Sequence, residues 1–227
     1  MYVQAELLNN QNIIKALQKT GPHSTLLDVG CWDGVNTQVW ITAAHAEKSL
    51  GIEPVSSAAA KSKKRGIKTF VVKADSGKWP LKDGSVDCIV SNQVVEHLSD
   101  LDSFFAQAQR VLKPGGHIIT STNNLSSLHN IFALLMGWAP FDLTNSSSFK
   151  WGIGNPLATH RGENDKRGLT WTHKTIYTAH WLMEWQQVYG FIPLEIYGAG
   201  LYPLPAVFGR YVAKYSAFIT TLCQKRK

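Results

Sequence analysis

Leu26-Leu27-Asp28-Val29-Gly30-Cys31-Trp32-Asp33-Gly34 is the stretch whose reading decides the fold. Residues 25–28 suit a buried strand, because a short apolar run bounded by turn signals fits the core of a parallel sheet. Residues 35–44 read as a helix, so the chain must turn sharply between the two. Gly30 and Gly34 give that turn its backbone freedom and leave no Cβ where a ligand would come close. Amides at a helix start carry partial positive charge, and carboxylates or phosphates settle against them. The segment therefore reads as a seat for a nucleotide-type cofactor. A dinucleotide site would carry Gly-x-Gly-x-x-Gly. Here the run is Asp28-x-Gly30-x-x-x-Gly34, with an acid inside the strand end.

Downstream, Ser49-Leu50-Gly51-Ile52-Glu53-Pro54 reads as a second strand ending in an acid. A carboxylate there can accept both hydroxyls of a ribose, and it equally suits the start of a helix over 56–64. A third strand over 68–72 runs into Lys73-Ala74-Asp75-Ser76, where the acid can serve a ligand or cap a turn. Asp83 to Asn92 is a turn followed by a fourth strand. The helix after it, 101–112, repeats Leu101, Phe104, Phe105, Ala108, Val111 and Leu112 at the helical period. Lys113-Pro114-Gly115-Gly116 stops it before a fifth strand over 117–121. Strands and helices alternating across 25–122 predict an α/β, doubly wound parallel sheet. Ahead of it, Leu7, Ile13, Ile14 and Leu17 predict an amphipathic helix over 4–19, ended by Thr20-Gly21-Pro22.

After Ser121 the character changes. Leu125 to Met136 reads as a helix with Leu128, Ile131, Phe132 and Leu135 on its apolar face. Residues 137–168 are rich in Asn, Ser, Gly and Trp without a sustained period, and loops of that length are usually functional. Trp138, Phe141, Phe149 and Trp151 argue for an ordered cap over a binding cleft. A helix over 178–189 follows, with Thr178 as N-cap and Tyr177, Trp181, Trp185 and Val188 on one face. Gly190 ends it ahead of a sixth strand over 191–197. A Pro-rich excursion and a last strand over 216–224 close the chain.

A chain of 227 residues supports one α/β domain, here 1–227 with a cap over 124–175. Hydrophobic content of 44% and charged content of 17% exclude a disordered chain. The formal charge of +7, from 23 basic and 16 acidic residues, suits an acidic partner or simply solubility. Cys31, Cys88 and Cys223 show neither paired nor metal-ligand spacing, so no metal and a reduced, cytoplasmic setting are expected. Residues 1–18 lack a secretory layout. The longest apolar run, 131–141, is far short of the roughly 20 residues that span a bilayer. Peripheral membrane contact is the most that this pattern allows.

Taken in order, the glycine turn, the acids at Glu53 and Asp75, the strand Val86-Asp87-Cys88-Ile89-Val90 and the Leu112-Lys113-Pro114-Gly115-Gly116 segment resemble the class I methyltransferases that use S-adenosyl-L-methionine (SAM). The resemblance covers residues 25–123 and implies a Rossmann-like, seven-stranded sheet whose last two strands form an antiparallel edge. It also implies roles for single residues. Gly30, Cys31 and Gly34 would line the methionine and ribose side, and Glu53 would take the ribose hydroxyls. Pro54 would pack on the adenine edge, while Asp75 and Ser76 bind the adenine amine. Asn92 and Gln93 would lie under the methionyl part. Asp28 would hold the turn, or reach the cofactor's ammonium group through water. Trp32 and Asp33 depart from the small residues common in the family.

On the acceptor side, Val94-Val95-Glu96-His97-Leu98 resembles the family segment bordering the methyl-transfer pocket. His97 is thus a candidate base or substrate ligand, or a histidine tied to a backbone carbonyl. Residues 120–125, 128–130, 134–141, 173–191 and 200–205 are similar to methyltransferases of bacterial cell-surface glycan and lipid pathways. His173, ahead of a helix, is the preferred base, and a structural hydrogen bond is its alternative. The subgroup's basic residue two positions on is Thr175 here. Asn123 and His129 would line the acceptor pocket or cap the helix. The leading expectation is SAM-dependent methyl transfer, most simply to oxygen, on a small-molecule, glycan or lipid-linked acceptor. A nucleic-acid methyltransferase is disfavoured because Asn92-Gln93-Val94-Val95 replaces an Asn/Asp-Pro-Pro-aromatic run, and no Lys/Arg stripe interleaves with aromatics. A catalytically silent SAM-fold interaction protein would have little need of both Glu53 and Asp75.

Overall fold

The computed structural model describes residues 2–163 and 171–227. The elements are α1 (Tyr2–Thr20), β1 (Thr25–Val29), α2 (Val35–Ala44), β2 (Lys48–Ile52), α3 (Ser56–Lys64), β3 (Lys68–Phe70) and β4 (Val86–Asn92). Then follow α4 (Leu101–Val111), β5 (Leu112–Asn123), α5 (Leu128–Leu135), α6 (Ala179–Val188), β6 (Phe191–Ala199) and β7 (Phe218–Lys225). The strands form one seven-stranded sheet in the order β3-β2-β1-β4-β5-β7-β6. The first five pair in parallel, and β7 runs antiparallel to both β5 and β6. The expected doubly wound sheet with an antiparallel edge is therefore present. Its order reverses between β1 and β4, which opens a crevice at their carboxyl ends.

Alternation along β1 feeds two cores. Leu27 and Val29 face a cluster with Phe104 and Phe105 of α4 and Leu182 of α6. Leu26 faces the other layer, with Ile13 and Leu17 of α1 and Trp40 of α2. Helices on both faces bury every residue of β1, as a parallel sheet requires. Asp100 caps α4 by accepting the Ser103 amide at 2.8 Å, and Thr178 caps α6 by accepting that of Trp181 at 3.2 Å.

Three helix faces depart from the apolar pattern. In α1, Leu7 is exposed, while Asn9 and Asn12 point inward beside Ile13 and Leu17. Asn9 donates to Asn92 Oδ1 at 3.0 Å and accepts the hydroxyls of Ser121 (2.8 Å) and Thr220 (2.9 Å). The helix covers polar strand ends there, so a polar residue fits better than a leucine. In α5 the expected face is reversed. Asn130 and Ala133 are buried, whereas Leu128 and Phe132 are exposed and Leu135 is 81% exposed. The Asn130 amide donates to Asn124 O at 3.0 Å and Asp142 Oδ2 at 2.7 Å, and these bonds orient the helix. In α6, Trp181 and Val188 face outward, and Leu182 and Gln186 face the sheet. Gln186 donates to the hydroxyls of Thr120 (3.3 Å) and Thr221 (3.0 Å). Tyr177 and Trp185 do pack inward, as expected.

The cap aromatics are paired with side chains of the same region. Trp138 meets Phe132 at 6.0 Å, Phe141 meets His129 at 5.8 Å, and Trp151 meets His160 at 5.6 Å between ring centres. Phe149 is exposed. The part of the expected cap over 164–170 lies outside the described residues.

Candidate functional site

The turn after β1 closes on the end of β2. The amides of Gly30 and Cys31 both donate to Ile52 O, at 2.8 and 3.2 Å, and Gly34 N–H returns to Cys31 O at 2.8 Å. Gly30, Trp32 and Gly34 all have left-handed backbone, at φ 82°, 47° and 83°. The side of each glycine that a Cβ would occupy is filled by protein. A Cβ on Gly30 would stand 2.3 Å from Val94 Cγ2, and one on Gly34 would stand 2.6 Å from Ile67 Cδ1. Cys31 follows Gly30 in the turn. Its Sγ points inward, 3.6 Å from Ser62 Oγ, and burial pushes the thiol up to about 12. Only its backbone can serve a cofactor.

Asp28 is 2% exposed and accepts the Thr37 hydroxyl at 2.5 Å, pinning α2 to β1. Of its two expected roles, holding the turn is the one this geometry displays. Burial, with the nearby Glu53 charge, pushes its carboxyl up to about 7, against the stabilising Thr37 bond. The folded chain therefore keeps a proton between the ordinary value of 3.8 and about 7 that the unfolded chain has released. Stability is then lost as pH rises through that window. Asp28→Asn is expected to remove the loss. Thermal melts should show the variant gaining on the parent from about pH 5 to about pH 8, by up to a few kcal/mol at ~1.4 kcal/mol per pH unit. A gap that does not change with pH would refute a buried, protonated Asp28.

Glu53 is buried at the end of β2. Its Oε2 accepts the Trp32 amide at 3.0 Å and its Oε1 the Val55 amide at 2.8 Å. The carboxylate thus ties the glycine turn to the start of α3, and each oxygen keeps a further lone pair. Burial raises its pKa, opposed by these two bonds. Pro54 beside it is exposed. Asp75 is half-buried beyond β3 and accepts the Ser99 amide at 2.7 Å, while Ser76 is exposed. Gln93 sits in left-handed backbone at φ 55°, and its buried Nε2 has no hydrogen-bond partner. Asn92 Oδ1 accepts from Asn9 Nδ2 of α1 at 3.0 Å. Gly30 against Val94, Glu53 against Trp32 and Asp75 against Ser99 form a run of contacts along one end of the sheet. An adenosyl ligand fits this donor set: two carboxylates for hydroxyls and an amine, and one unpartnered amide donor for a carboxylate.

Trp171 links this end to a second group. Its ring lies 5.3 Å from Trp32 and 6.4 Å from His97, measured between ring centres. His97 and His173 are brought together at 4.7 Å, although they are far apart in sequence. His97 Nδ1 is 3.0 Å from Thr172 O, and His173 Nδ1 is 2.5 Å from Asp142 O. A carbonyl only accepts, so each Nδ1 carries the proton and each Nε2 keeps its lone pair. Burial lowers both pKa values, that of His97 to about 4, and this keeps the rings neutral. Both histidines thus have the backbone bond offered as the alternative to a base, and it leaves the other nitrogen available.

Glu96 packs beside them, fully buried. Its Oε2 accepts the Thr122 hydroxyl at 2.8 Å, and its Oε1 has no partner. Burial pushes this carboxyl up to about 8. Asn123 and His129 both turn to Asp142, at 2.8 Å from Asn123 Nδ2 and 3.3 Å from His129 Nε2. They meet on one carboxylate between β5, α5 and the residues that follow. The sequence did not single out Asp142, Thr37 or Asn9. An acid inside a loop or an asparagine inside a helix carries no local signal of what it will meet.

Residues 27–120 match the family model described as "Methyltransferase domain". A probable S-adenosylmethionine-dependent methyltransferase of Mycobacterium tuberculosis is 33% identical over 110 residues, covering 47% of this chain and 39% of the relative. A malonyl-[acyl-carrier protein] O-methyltransferase of Hamiltonella defensa is 30% identical over 143 residues, covering 62% and 54%. The matches span from about a third to just over half the length of these curated relatives. Among solved structures, a putative SAM-dependent methyltransferase from Listeria monocytogenes superposes with a TM-score of 0.64 at 13% identity, covering 98% of this chain and 99% of that one. That likeness bears on the fold alone. Residues 27–120 thus carry a methyltransferase domain, and with the glycine turn, the paired acids and the sheet order on one edge the chain is similar to the class I SAM-dependent methyltransferases.

Proposed function

We propose that the chain transfers the methyl group of SAM to oxygen on a small-molecule, glycan or lipid-linked acceptor. One observation carries this reading: the Trp171 indole touches both the cofactor turn, at Trp32, and the histidine pair, at His97. SAM supplies an electrophilic methyl on sulfonium, and the protein's part is to orient it and to prepare the nucleophile. Glu53 would hold the ribose hydroxyls, Asp75 with Ser76 the adenine amine, and Gln93 Nε2 the methionyl carboxylate. The turn 30–34 offers its backbone. His173 and His97, each with Nε2 unprotonated, would face the acceptor and take up its proton, with 124–175 as the cap over it. The malonyl-[acyl-carrier protein] relative is by name an O-methyltransferase, which supports oxygen as the target. The exposed apolar side of α5 suits a lipid-linked acceptor and contact with a membrane surface. Among the described residues no helix is long and apolar enough to cross a membrane.

Incubating the chain with methyl-labelled SAM and separated polar and lipid fractions of a cell extract tests the acceptor class. Label entering neither fraction would sink it. His173→Ala is expected to slow turnover about thirtyfold while SAM affinity is unchanged. This is less than the ~10²–10⁴ of an unshared base because His97 stands beside it. Turnover equal to the parent's would remove His173 from the site.

A further inference from the structure

We infer that Glu96, His97 and His173 form a binding site for a divalent transition-metal cation, open on one side to an oxygen ligand. One donor atom from each of the three lies within 4.8 Å of the other two. Neither imidazole Nε2 has a hydrogen-bond partner among the described residues. The opposite nitrogens are fixed by Thr172 O and Asp142 O. A backbone carbonyl on the far nitrogen is the arrangement that sets the tautomer and ring angle of metal-ligating histidines.

The second, independent observation is Glu96 Oε1. This oxygen is buried and makes no hydrogen bond, although its twin accepts the Thr122 hydroxyl. A buried, unpartnered carboxylate oxygen is costly unless something positive or a proton sits against it. Two imidazoles and a carboxylate suit zinc, manganese or iron(II) better than calcium or magnesium, which prefer oxygen donors. Ligand bonds of about 2.0–2.2 Å would need the three side chains to close by roughly an ångström, within the reach of small rotamer shifts. Three protein ligands leave positions vacant in either a tetrahedral or an octahedral shell.

The site lies next to Trp171, and therefore next to the cofactor turn. If the methyl-transfer reading holds, the oxygen ligand would be the acceptor's own hydroxyl, carboxylate or phosphate oxygen; with both Nε2 lone pairs on the cation, the cation's lowering of that oxygen's pKa would take the place of proton uptake by the histidines. Binding of the cation does not depend on that reading. The sequence hid the site because its spacing is non-local: Glu96 and His97 follow β4, whereas His173 precedes α6.

The test is titration of the metal-stripped full chain with Co2+, following its visible absorption, with SAM binding measured on the same samples. One Co2+ per chain is expected in the parent and in a control, His180→Ala, whose side chain is 81% exposed. Affinity should fall by about thirtyfold or more in His173→Ala, in His97→Gln and in Glu96→Gln. Retained SAM affinity and melting temperature will show which variants are folded, and only folded ones are counted. Absence of Co2+ binding at millimolar concentration, or binding that survives in every folded variant, would overturn the site. Co2+ binding without SAM binding would leave the site standing and remove the methyl-transfer reading, and the reverse result would do the opposite.

Discussion

Replacing Glu53 with alanine is expected to weaken SAM binding by a hundredfold or more. In the structure this carboxylate is buried and holds two backbone amides, at 3.0 and 2.8 Å, while each oxygen keeps a lone pair for a ligand. Hydrogen bonds to a charged group contribute about 1.5–3 kcal/mol each, so two to the ribose amount to roughly 3–4 kcal/mol after partial compensation. At about 1.4 kcal/mol per factor of ten, that is a loss of two to three orders of magnitude. The same change frees the Trp32 amide and loosens the turn, so calorimetry must be read beside a melt. Glu53→Gln separates the two effects: its amide oxygen can still take one backbone amide, and the charge is gone. Affinity of Glu53→Ala within about threefold of the parent, in a folded chain, would mean that no ribose sits there.

Gly30→Ala is expected to be the most destabilising single change at the site. Two costs add. Alanine at φ 82° pays roughly 1–2 kcal/mol for left-handed backbone. Its Cβ would stand 2.3 Å from Val94 Cγ2, an overlap that costs about 1–3 kcal/mol to relieve. Their sum, about 2–5 kcal/mol, predicts a melting temperature lower by ~4–20 °C for a chain of this size. The clash and the strain can be told apart with a second change. Val94→Ala removes the methyl that is struck, so the double variant should regain the overlap share and keep the strain share. A melting temperature that Val94→Ala does not raise in the Gly30→Ala background would show that the overlap is not what the glycine avoids.

That glycine also marks where reading a sequence stops. The pattern around Gly30 and Gly34 correctly marks a sharp turn between a strand and a helix, because only backbone freedom meets that need. The reason for having no side chain there lies elsewhere. Val94 and Ile67, from later segments, fill the space that a Cβ would occupy. Asp28 behaves alike: its place at a strand end was legible, but its partner Thr37 was not. In α4 the apolar period predicted the buried face correctly, since that helix lies on an apolar sheet surface. In α5 the same rule failed, and in α1 it held for Ile13 and Leu17 but not for Leu7, because each helix covers polar strand ends or loops and is oriented by asparagine bonds. Hydrophobic period reports the inward face only where the surface beneath is apolar.

Local spacing alone determined the doubly wound order, the two acids at strand ends and the turn between them. Each of these is set by neighbours within a few residues, where propensity and periodicity act. The tertiary structure decided which side chains meet. It set His97 against His173, buried Glu96 beside them with one oxygen unpaired, and gathered Asn123, Asn130 and His129 onto Asp142. Such meetings depend on how separate segments pack across a sheet edge. Contacts between residues distant in the chain leave no period in the sequence from which to read them.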